Sequence, residues 1–197
     1  PGPALPTPLD PGTTRPAGWQ WVDMAAGPSA IYVTGYANDT STIEKITLTT
    51  GTSGVVTLNP PVTVVDMPRG EIVQSIYQYV GSYIIVGTTA GVRVASIDSD
   101  GDLTLGPLII SFEPGVTAYS TDAVAIGSYV YVTMWDQSNA GDRRKRAGLF
   151  RIDLGSTLDG SSLVFPVAAD LTTPVGYTGQ CNSVTVAGGK LWFTVKG

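Results

Sequence analysis

The chain has 197 residues, enough to bury a sizeable core, and its 24 glycines and scarcity of apolar runs at helical spacing favour strands and turns. Its 11 basic and 16 acidic residues give a net charge of −5, which argues against a general nucleic-acid binder, because such a protein needs a basic surface to neutralise phosphates. One cysteine and no histidine exclude a disulfide within the chain, a metal site of the Cys/His type and the usual general base.

The first 18 residues contain six prolines, at positions 1, 3, 6, 8, 11 and 16. Proline removes a backbone donor and favours an extended polyproline II conformation. Residues 1–18 are therefore predicted to be a linker or an arm that lies along a neighbour, with a disordered tail as the alternative. No later run approaches the roughly 20 apolar residues of a membrane helix, so no membrane insertion is predicted.

The stretch from Glu71 to Ile97 contains three short apolar runs, separated by Gly81-Ser82 and by a Gly/Thr-rich turn. Glycine at such positions permits tight turns between strands. The stretch is therefore predicted to form most of one antiparallel sheet.

The same pattern recurs along the chain. Four second strands align on one apolar position each, at Ile31, Ile84, Val130 and Leu191, with separations of 84−31 = 53, 130−84 = 46 and 191−130 = 61. Three third strands also align, beginning at residues 43, 92 and 149, with separations of 92−43 = 49 and 149−92 = 57.

A period of about 40 to 60 residues with four short strands per repeat is typical of a β-propeller. The sequence thus predicts an all-β fold of about three and a half four-stranded antiparallel blades. The predicted blades are residues 19–67, 69–112, 115–171 and an incomplete 176–197. Such an open ring would leave apolar faces and strand edges exposed, so the chain is expected to be part of a longer polypeptide. A self-contained β-sandwich is the alternative.

Three carboxylates, on Asp98, Asp100 and Asp102, fall within five residues, as in calcium loops that bind through oxygen. They are the candidate metal ligands of this chain. Asp-Gly between two strands also favours a hairpin turn, and we predict that a turn is their main role.

A basic loop and several aromatic residues are candidate contact residues. Arg143, Arg144, Lys145 and Arg146 would form the tip of a loop, either solvated or in contact with an anionic surface. Trp135 could contribute to a sugar-binding face or pack between blades. The other aromatic candidates are Tyr119, Tyr129, Tyr131, Tyr177 and Trp192.

Catalytic chemistry has little basis in this sequence. The best pair of carboxylates for a glycosidase would be Asp122 and Asp136, and nothing in the sequence brings them together. We therefore predict no catalytic residue and no cofactor. The Asn38-Asp39-Thr40 sequon would matter only in a eukaryotic secretory pathway.

Residues 69–95 resemble minor tail proteins of tailed phages that infect actinobacteria. The similarity lies in Gly70-Glu71, the strand after it, Gly87-Thr88 and Gly91-Val92-Arg93-Val94. The resemblance implies a virion structural subunit of the distal tail or baseplate, with the propeller as a module for assembly and host attachment. It brings no catalytic residues. Such proteins are much longer than this chain.

This resemblance predicts a non-enzymatic, extracellular virion protein present in multiple copies. Its partners would be other tail or baseplate proteins and a host cell-surface glycan or polymer. Two alternatives remain open: a secreted bacterial propeller that binds or hydrolyses cell-wall glycans, and a propeller scaffold for protein interactions.

Overall fold

The computed structural model describes residues 15–52, 54, 56–79, 81–111, 117–136, 148–153 and 181–195. Throughout these residues the regular structure is antiparallel β-sheet, which confirms the predicted all-β class. The strands of these described residues belong to four separate sheets, numbered here in chain order.

Sheet 1 contains β1 (Gln20–Ala26), β2 (Ala30–Ala37), β3 (Thr40–Thr50), β4 (Val56–Leu58) and β5 (Val62–Asp66). Sheet 2 contains β6 (Val73–Tyr79), β7 (Tyr83–Thr88), β8 (Gly91–Ile97) and β9 (Leu103–Ser111). Sheet 3 contains β10 (Ala118–Ile126), β11 (Tyr129–Asp136) and β12 (Gly148–Asp153). Sheet 4 contains β13 (Cys181–Ala187) and β14 (Lys190–Val195).

Sheet 1 differs from the expected four strands. Its third strand, β3, pairs with β5 along residues 42–45 and continues beyond that pairing to meet β4 at residues 48–50. The Thr-rich run Ile46-Thr47-Leu48-Thr49-Thr50 extends the strand, because threonine and isoleucine suit a pleated, half-buried surface. The sequence prediction of a uniform four-stranded repeat was therefore wrong for this sheet.

Tight turns join the first and second strands. In sheet 4 the two turn residues, Gly188 and Gly189, have φ angles of 59° and 71°, as a two-residue type I′ hairpin requires. A tight turn also joins the second and third strands of sheet 1, and it places Asn38 at a φ of 56°, a left-handed conformation that asparagine tolerates better than most residues. This turn contains the sequon residue.

The first strand of every sheet carries an irregularity at the same place. The pairing with the second strand shifts between Trp21 and Asp23 in β1, and the corresponding shifts lie at 73/75 in β6, 120/122 in β10 and 181/183 in β13. A β-bulge increases local twist and redirects side chains. The residues that follow the four bulges are Asp23, Ser75, Asp122 and Ser183.

Counted from the bulge, the first and second strands of the four sheets pair in the same register. The residues after the bulges pair with Thr34, Gly87, Thr133 and Thr194. Ile31, Ile84, Val130 and Leu191 each lie three residues before those partners. The alignment of second strands made from the sequence is therefore confirmed in register.

The sheets form a row in which each first strand packs on the next. β1 contacts β6, β6 contacts β10, and β10 contacts β13. We call the side of a sheet that is turned toward the preceding sheet its rear face, and the opposite side its front face. Ile84 and Val86 mark the rear face of sheet 2, and Ile85 marks its front face.

In the part of the chain that the structure describes, two apolar cores lie between the sheets. The first joins the front face of sheet 1 to the rear face of sheet 2 and includes Tyr32, Ile43, Ile84 and Val86. The second joins sheet 2 to sheet 3 and includes Ile85, Val94, Val130 and Val132. Each burial removes apolar surface from water, at roughly 1.5–3 kcal/mol per large side chain, and this is the main force that holds the row together.

Polar bonds from the residues after the bulges cross the same junctions. Asp23 Oδ2 accepts the backbone N–H of Ile76 at 2.9 Å, and Asp122 Oδ2 accepts that of Val184 at 3.0 Å. Between sheets 2 and 3, the hydroxyl of Ser75 donates to the carbonyl of Ser120 at 2.9 Å. The side chain after each of these bulges therefore bonds the first strand of the following sheet.

Candidate functional site

The rear face of sheet 1 is exposed, whereas the rear faces of sheets 2, 3 and 4 are buried. The residue two places after each bulge is Met24, Ile76, Ala123 or Val184. The last three are 6%, 8% and 4% exposed because a preceding sheet covers them, whereas Met24 is 69% exposed. We call this uncovered surface, with Trp21, Met24, Val33 and Ile46, the open face.

The open face contains a groove. Its volume is about 530 Å³, and its walls include Trp21, Met24, Val33, Ile46, Leu58 and Pro60. β4 and the Asn59-Pro60-Pro61 connection form one wall, which exists only because β3 extends past its pairing with β5. An apolar groove of this kind can bind a partner through hydrophobic contact, and exposed apolar patches often mark such sites.

One end of the open face carries a buried ion pair. The guanidinium of Arg15 binds the carboxylate of Glu44, which is 2% exposed on β3. The same guanidinium lies 5.1 Å from the ring centre of Trp19 and 4.7 Å from that of Trp21, within cation–π range. The last part of the predicted N-terminal arm thus packs on sheet 1, and residues 1–14 lie outside the described residues.

Sheet 2 has a similar ion pair, but here the basic residue lies on the third strand and the acidic residue lies before the first strand. Arg93 on β8 occupies the position of Glu44 and binds Glu71, with distances of 2.7 Å from Nε to Oε1 and 2.8 Å from Nη2 to Oε2. The hydroxyl of Thr88 donates to the same carboxylate at 2.8 Å. In both sheets, the charged residue of the third strand forms its ion pair with a residue of the segment that precedes the first strand.

The residues that carry the phage-tail resemblance therefore meet in one place. Glu71, Thr88, Gly91 and Arg93 are joined by hydrogen bonds, and Thr88 also donates to the carbonyl of Gly91 at 3.2 Å. In the described structure these residues hold the segment before β6 against the turn between β7 and β8, around the ion pair. A charged pair in an otherwise apolar repeat was the sequence signal for this feature.

The three aspartates predicted as possible metal ligands form a turn. The Asp98 carboxylate accepts the backbone N–H groups of Asp100 and Asp102 at 2.9 and 2.8 Å. The ammonium of Lys45 donates to the Asp100 carbonyl and to an Asp102 carboxylate oxygen, so a cation already sits beside this turn. Among the described residues no group of three or more Cys, Asp or Glu side chains could hold a metal ion.

The other predicted contact residues do not gather at one site. Trp135 stacks on Tyr119, with ring centres 4.0 Å apart and an angle of 11° between the planes. Arg151 lies over the ring of Tyr129. Trp192 is exposed on sheet 4. The basic residues Arg143, Arg144, Lys145 and Arg146, and also Tyr177, lie outside the described residues.

The carboxylate of Asp122 is committed to structural bonds. It accepts from the backbone N–H groups of Val184 and Ala123 and from the hydroxyl of Ser183 at 2.9 Å. Asp136 ends β11 three residues beyond Thr133, the partner of Asp122. The three bonds to Asp122 fix the junction between sheets 3 and 4, so this carboxylate has a structural role in the described structure.

Helices long and apolar enough to cross a membrane are not found in the part of the chain that the structure describes. Comparisons of this chain with models of protein families, with curated proteins and with solved structures give no match.

Proposed function

We propose that the four sheets are blades of a β-propeller and that the chain is a structural, non-enzymatic component of a phage tail or baseplate. The observation that carries the proposal is the repeated junction. Each first strand has the same bulge, and each junction buries the same register positions against the preceding sheet. Radial repetition of one sheet is the architecture in which such junctions recur.

The tail assignment is supported by the resemblance of residues 69–95 and by the structural role of its motif residues. Glu71 is buried and pairs with Arg93, whose side chain is 16% exposed, so the pair helps to keep the scaffold rigid. A rigid scaffold suits a virion subunit that must hold loops and faces in fixed positions for assembly and host attachment. Other tail proteins and a host-surface polymer are the partners that this function requires.

A direct test is immunogold electron microscopy of virions from the phage whose genome encodes this sequence. Antibodies raised against the purified chain should label the tail tip or baseplate. Label confined to the capsid, or peptides missing from a mass-spectrometric inventory of purified virions, would contradict the tail assignment.

The competing function is hydrolysis of cell-wall glycans. The structural bonds of Asp122 weigh against it. We expect no release of reducing sugar when the purified chain is incubated with actinobacterial wall polysaccharide. Release that is lost in Asp122→Asn, while the variant keeps its circular dichroism spectrum, would favour the enzyme instead.

A further inference from the structure

The turn between β8 and β9, residues 98–102, joins sheet 2 to sheet 1 through its backbone. The hydroxyl of Tyr32 donates to the carbonyl of Gly101 at 2.8 Å, and the ammonium of Lys45 donates to the carbonyl of Asp100 at 2.9 Å. Both donors lie on strands of sheet 1. A change in the covalent backbone of this turn would therefore alter the junction between the two sheets.

Asp100-Gly101 is an aspartate–glycine pair, the dipeptide in which an aspartate side chain most readily closes a ring on the next backbone nitrogen. Glycine has no side chain to shield that nitrogen. Asp100 is exposed, and its carboxylate takes part in no hydrogen bond or ion pair among the described residues. The N–H of Gly101 donates to the carbonyl of Asp98 at 3.2 Å, the long end of the range for such bonds. Neither reacting group is therefore tightly held.

A positive charge next to this peptide bond favours ring closure. Lys45 Nζ donates to the carbonyl oxygen of the Asp100–Gly101 peptide, and the Asp102 carboxylate holds the ammonium in place. Loss of the N–H proton from a peptide puts negative charge on its carbonyl oxygen, so a cation bonded there stabilises the nucleophilic form. The Lys45 side chain is 15% exposed, and this partial burial limits the screening of the interaction by water.

We propose that Asp100 is a site of spontaneous isomerisation to isoaspartate and that Lys45 promotes the reaction. The nitrogen of Gly101, after losing its proton to solvent, attacks the carboxyl carbon of Asp100 in its acid form. The new N–C bond closes a five-membered succinimide ring. The carboxyl hydroxyl leaves and combines with the released proton to give water, so the step needs no oxidant, reductant or cofactor.

Water then opens the ring at one of its two carbonyl carbons. Attack at the former main-chain carbonyl breaks its bond to nitrogen, releases that group as a carboxylate and leaves the chain linked through the side-chain carbon, which is isoaspartate. Attack at the other carbonyl restores aspartate. Lys45 is bonded to the main-chain oxygen, so its charge stabilises the tetrahedral intermediate that gives isoaspartate.

Isoaspartate adds a carbon atom to the backbone of the turn. The added atom displaces the Gly101 carbonyl from the hydroxyl of Tyr32, and the released carboxylate lies beside the ammonium of Lys45. The modification thus changes the bonds that join sheet 2 to sheet 1. This inference depends on the geometry of the turn and goes beyond the proposed tail function, which virion labelling decides separately.

Peptide mapping tests the proposal. The purified chain is kept at neutral pH and physiological temperature for several weeks, and isoaspartate is located by electron-transfer dissociation of its peptides. Isoaspartate should accumulate at position 100. In Lys45→Met the rate at this position should fall by about two- to tenfold, the effect of losing one hydrogen bond in the transition state. Lys45→Arg keeps a cationic donor and should retain most of the rate.

Two references separate a local effect from a general one. Asp159-Gly160 is the other aspartate–glycine pair of the sequence, and its rate should be the same in the wild-type chain and in Lys45→Met. Lys190→Met removes a charge at an exposed position of β14 and should change the rate at neither pair. Circular dichroism checks the fold of each variant, and Lys45→Gln replaces Lys45→Met if that variant does not fold.

A wild-type chain without isoaspartate at position 100 would overturn the proposal. An equal or higher rate in Lys45→Met would also overturn it, since that result means that Lys45 protects the turn by holding it rigid.

Discussion

Sheets 1 and 2 each contain a charged residue on their third strand. Each of these residues forms an ion pair with a residue of the segment that precedes the first strand of its sheet. Glu44 and Arg93 stand at one register position, and Arg15 and Glu71 neutralise them. A buried ion pair adds little net stability compared with an apolar pair, but removal of one partner leaves an uncompensated charge. These residues therefore decide whether the entering segment is fixed on its sheet.

Glu71→Ala should lower the free energy of unfolding by about 3–5 kcal/mol, because the guanidinium of Arg93 then stays buried without its partner. The double variant Glu71→Leu/Arg93→Met should lose much less. Urea unfolding monitored by tryptophan fluorescence gives both values. Arg69→Ala breaks only an exposed pair with Asp39 and should change little. A double variant as unstable as the sum of its single variants would contradict the account.

Tyr32 joins sheet 1 to sheet 2, and its hydroxyl donates to the carbonyl of Gly101 at 2.8 Å. Burial, together with the nearby charges of Asp98 and Asp102, raises the pKa of Tyr32 above its usual 10.0. The folded state thus favours the neutral phenol. Its contribution to stability is complete below the unfolded pKa of about 10 and is lost as the pH rises through the higher folded pKa.

Tyr32→Phe should cost about 0.5–1.5 kcal/mol at neutral pH, the net value of one hydrogen bond. Urea midpoints of both proteins, measured from about pH 8 to pH 11, should converge as the pH rises, because only the wild-type chain loses the phenol contribution. Tyr36→Phe is the control, since that hydroxyl bonds Gln20 at the surface of sheet 1. A difference that widens with pH would refute the prediction.

At the scale of elements, the bulge in each first strand controls how one sheet meets the next. It turns Asp23, Ser75 or Asp122 toward the following sheet. In sheets 1, 3 and 4 the residue opposite the bulge is threonine, but in sheet 2 it is Gly87. A side chain on Gly87 would lie 2.3 Å from Ser120 Oγ and 2.4 Å from Ser75 Oγ, so the junction has no room for one.

Gly87→Ala should therefore destabilise the protein by about 1–3 kcal/mol through overpacking. This cost exceeds the stabilisation that alanine provides by lowering the conformational entropy of the unfolded chain. Differential scanning calorimetry would detect the lower Tm. Thr104→Ala, at an exposed site on β9, should leave the Tm nearly unchanged. An equal or higher Tm for Gly87→Ala would mean that the junction between sheets 2 and 3 is looser than these distances indicate.

At the scale of the whole molecule, stability should rise from the ends of the row toward its middle. Sheet 2 has both faces covered, by sheets 1 and 3, whereas sheet 1 has an exposed rear face and sheet 4 an exposed front face. Local opening is easiest where few apolar contacts must be broken.

Hydrogen exchange should therefore be slowest in β7 and β8 and faster in β1 and β14. Mass spectrometry of the purified chain after exchange in D₂O gives the protection of each strand. Equal protection of β14 and β7 would contradict the gradient.

The sequence by itself determined the all-β class, the recurring strands and their common register. Alternation of apolar residues and glycine turns is a local property, so Ile31, Ile84, Val130 and Leu191 could be aligned without a structure. It also indicated that Asp98, Asp100 and Asp102 form a turn.

Only the tertiary structure decided the bulges, the ion pairs of Glu44 and Arg93, the length of β3 and the open face at Met24. Each of these depends on contacts between segments that are distant in sequence. Met24 and Ile76 are both apolar residues after a bulge, and only the presence or absence of a preceding sheet distinguishes them. Burial depends on how the sheets pack on one another, so strand periodicity alone does not predict it.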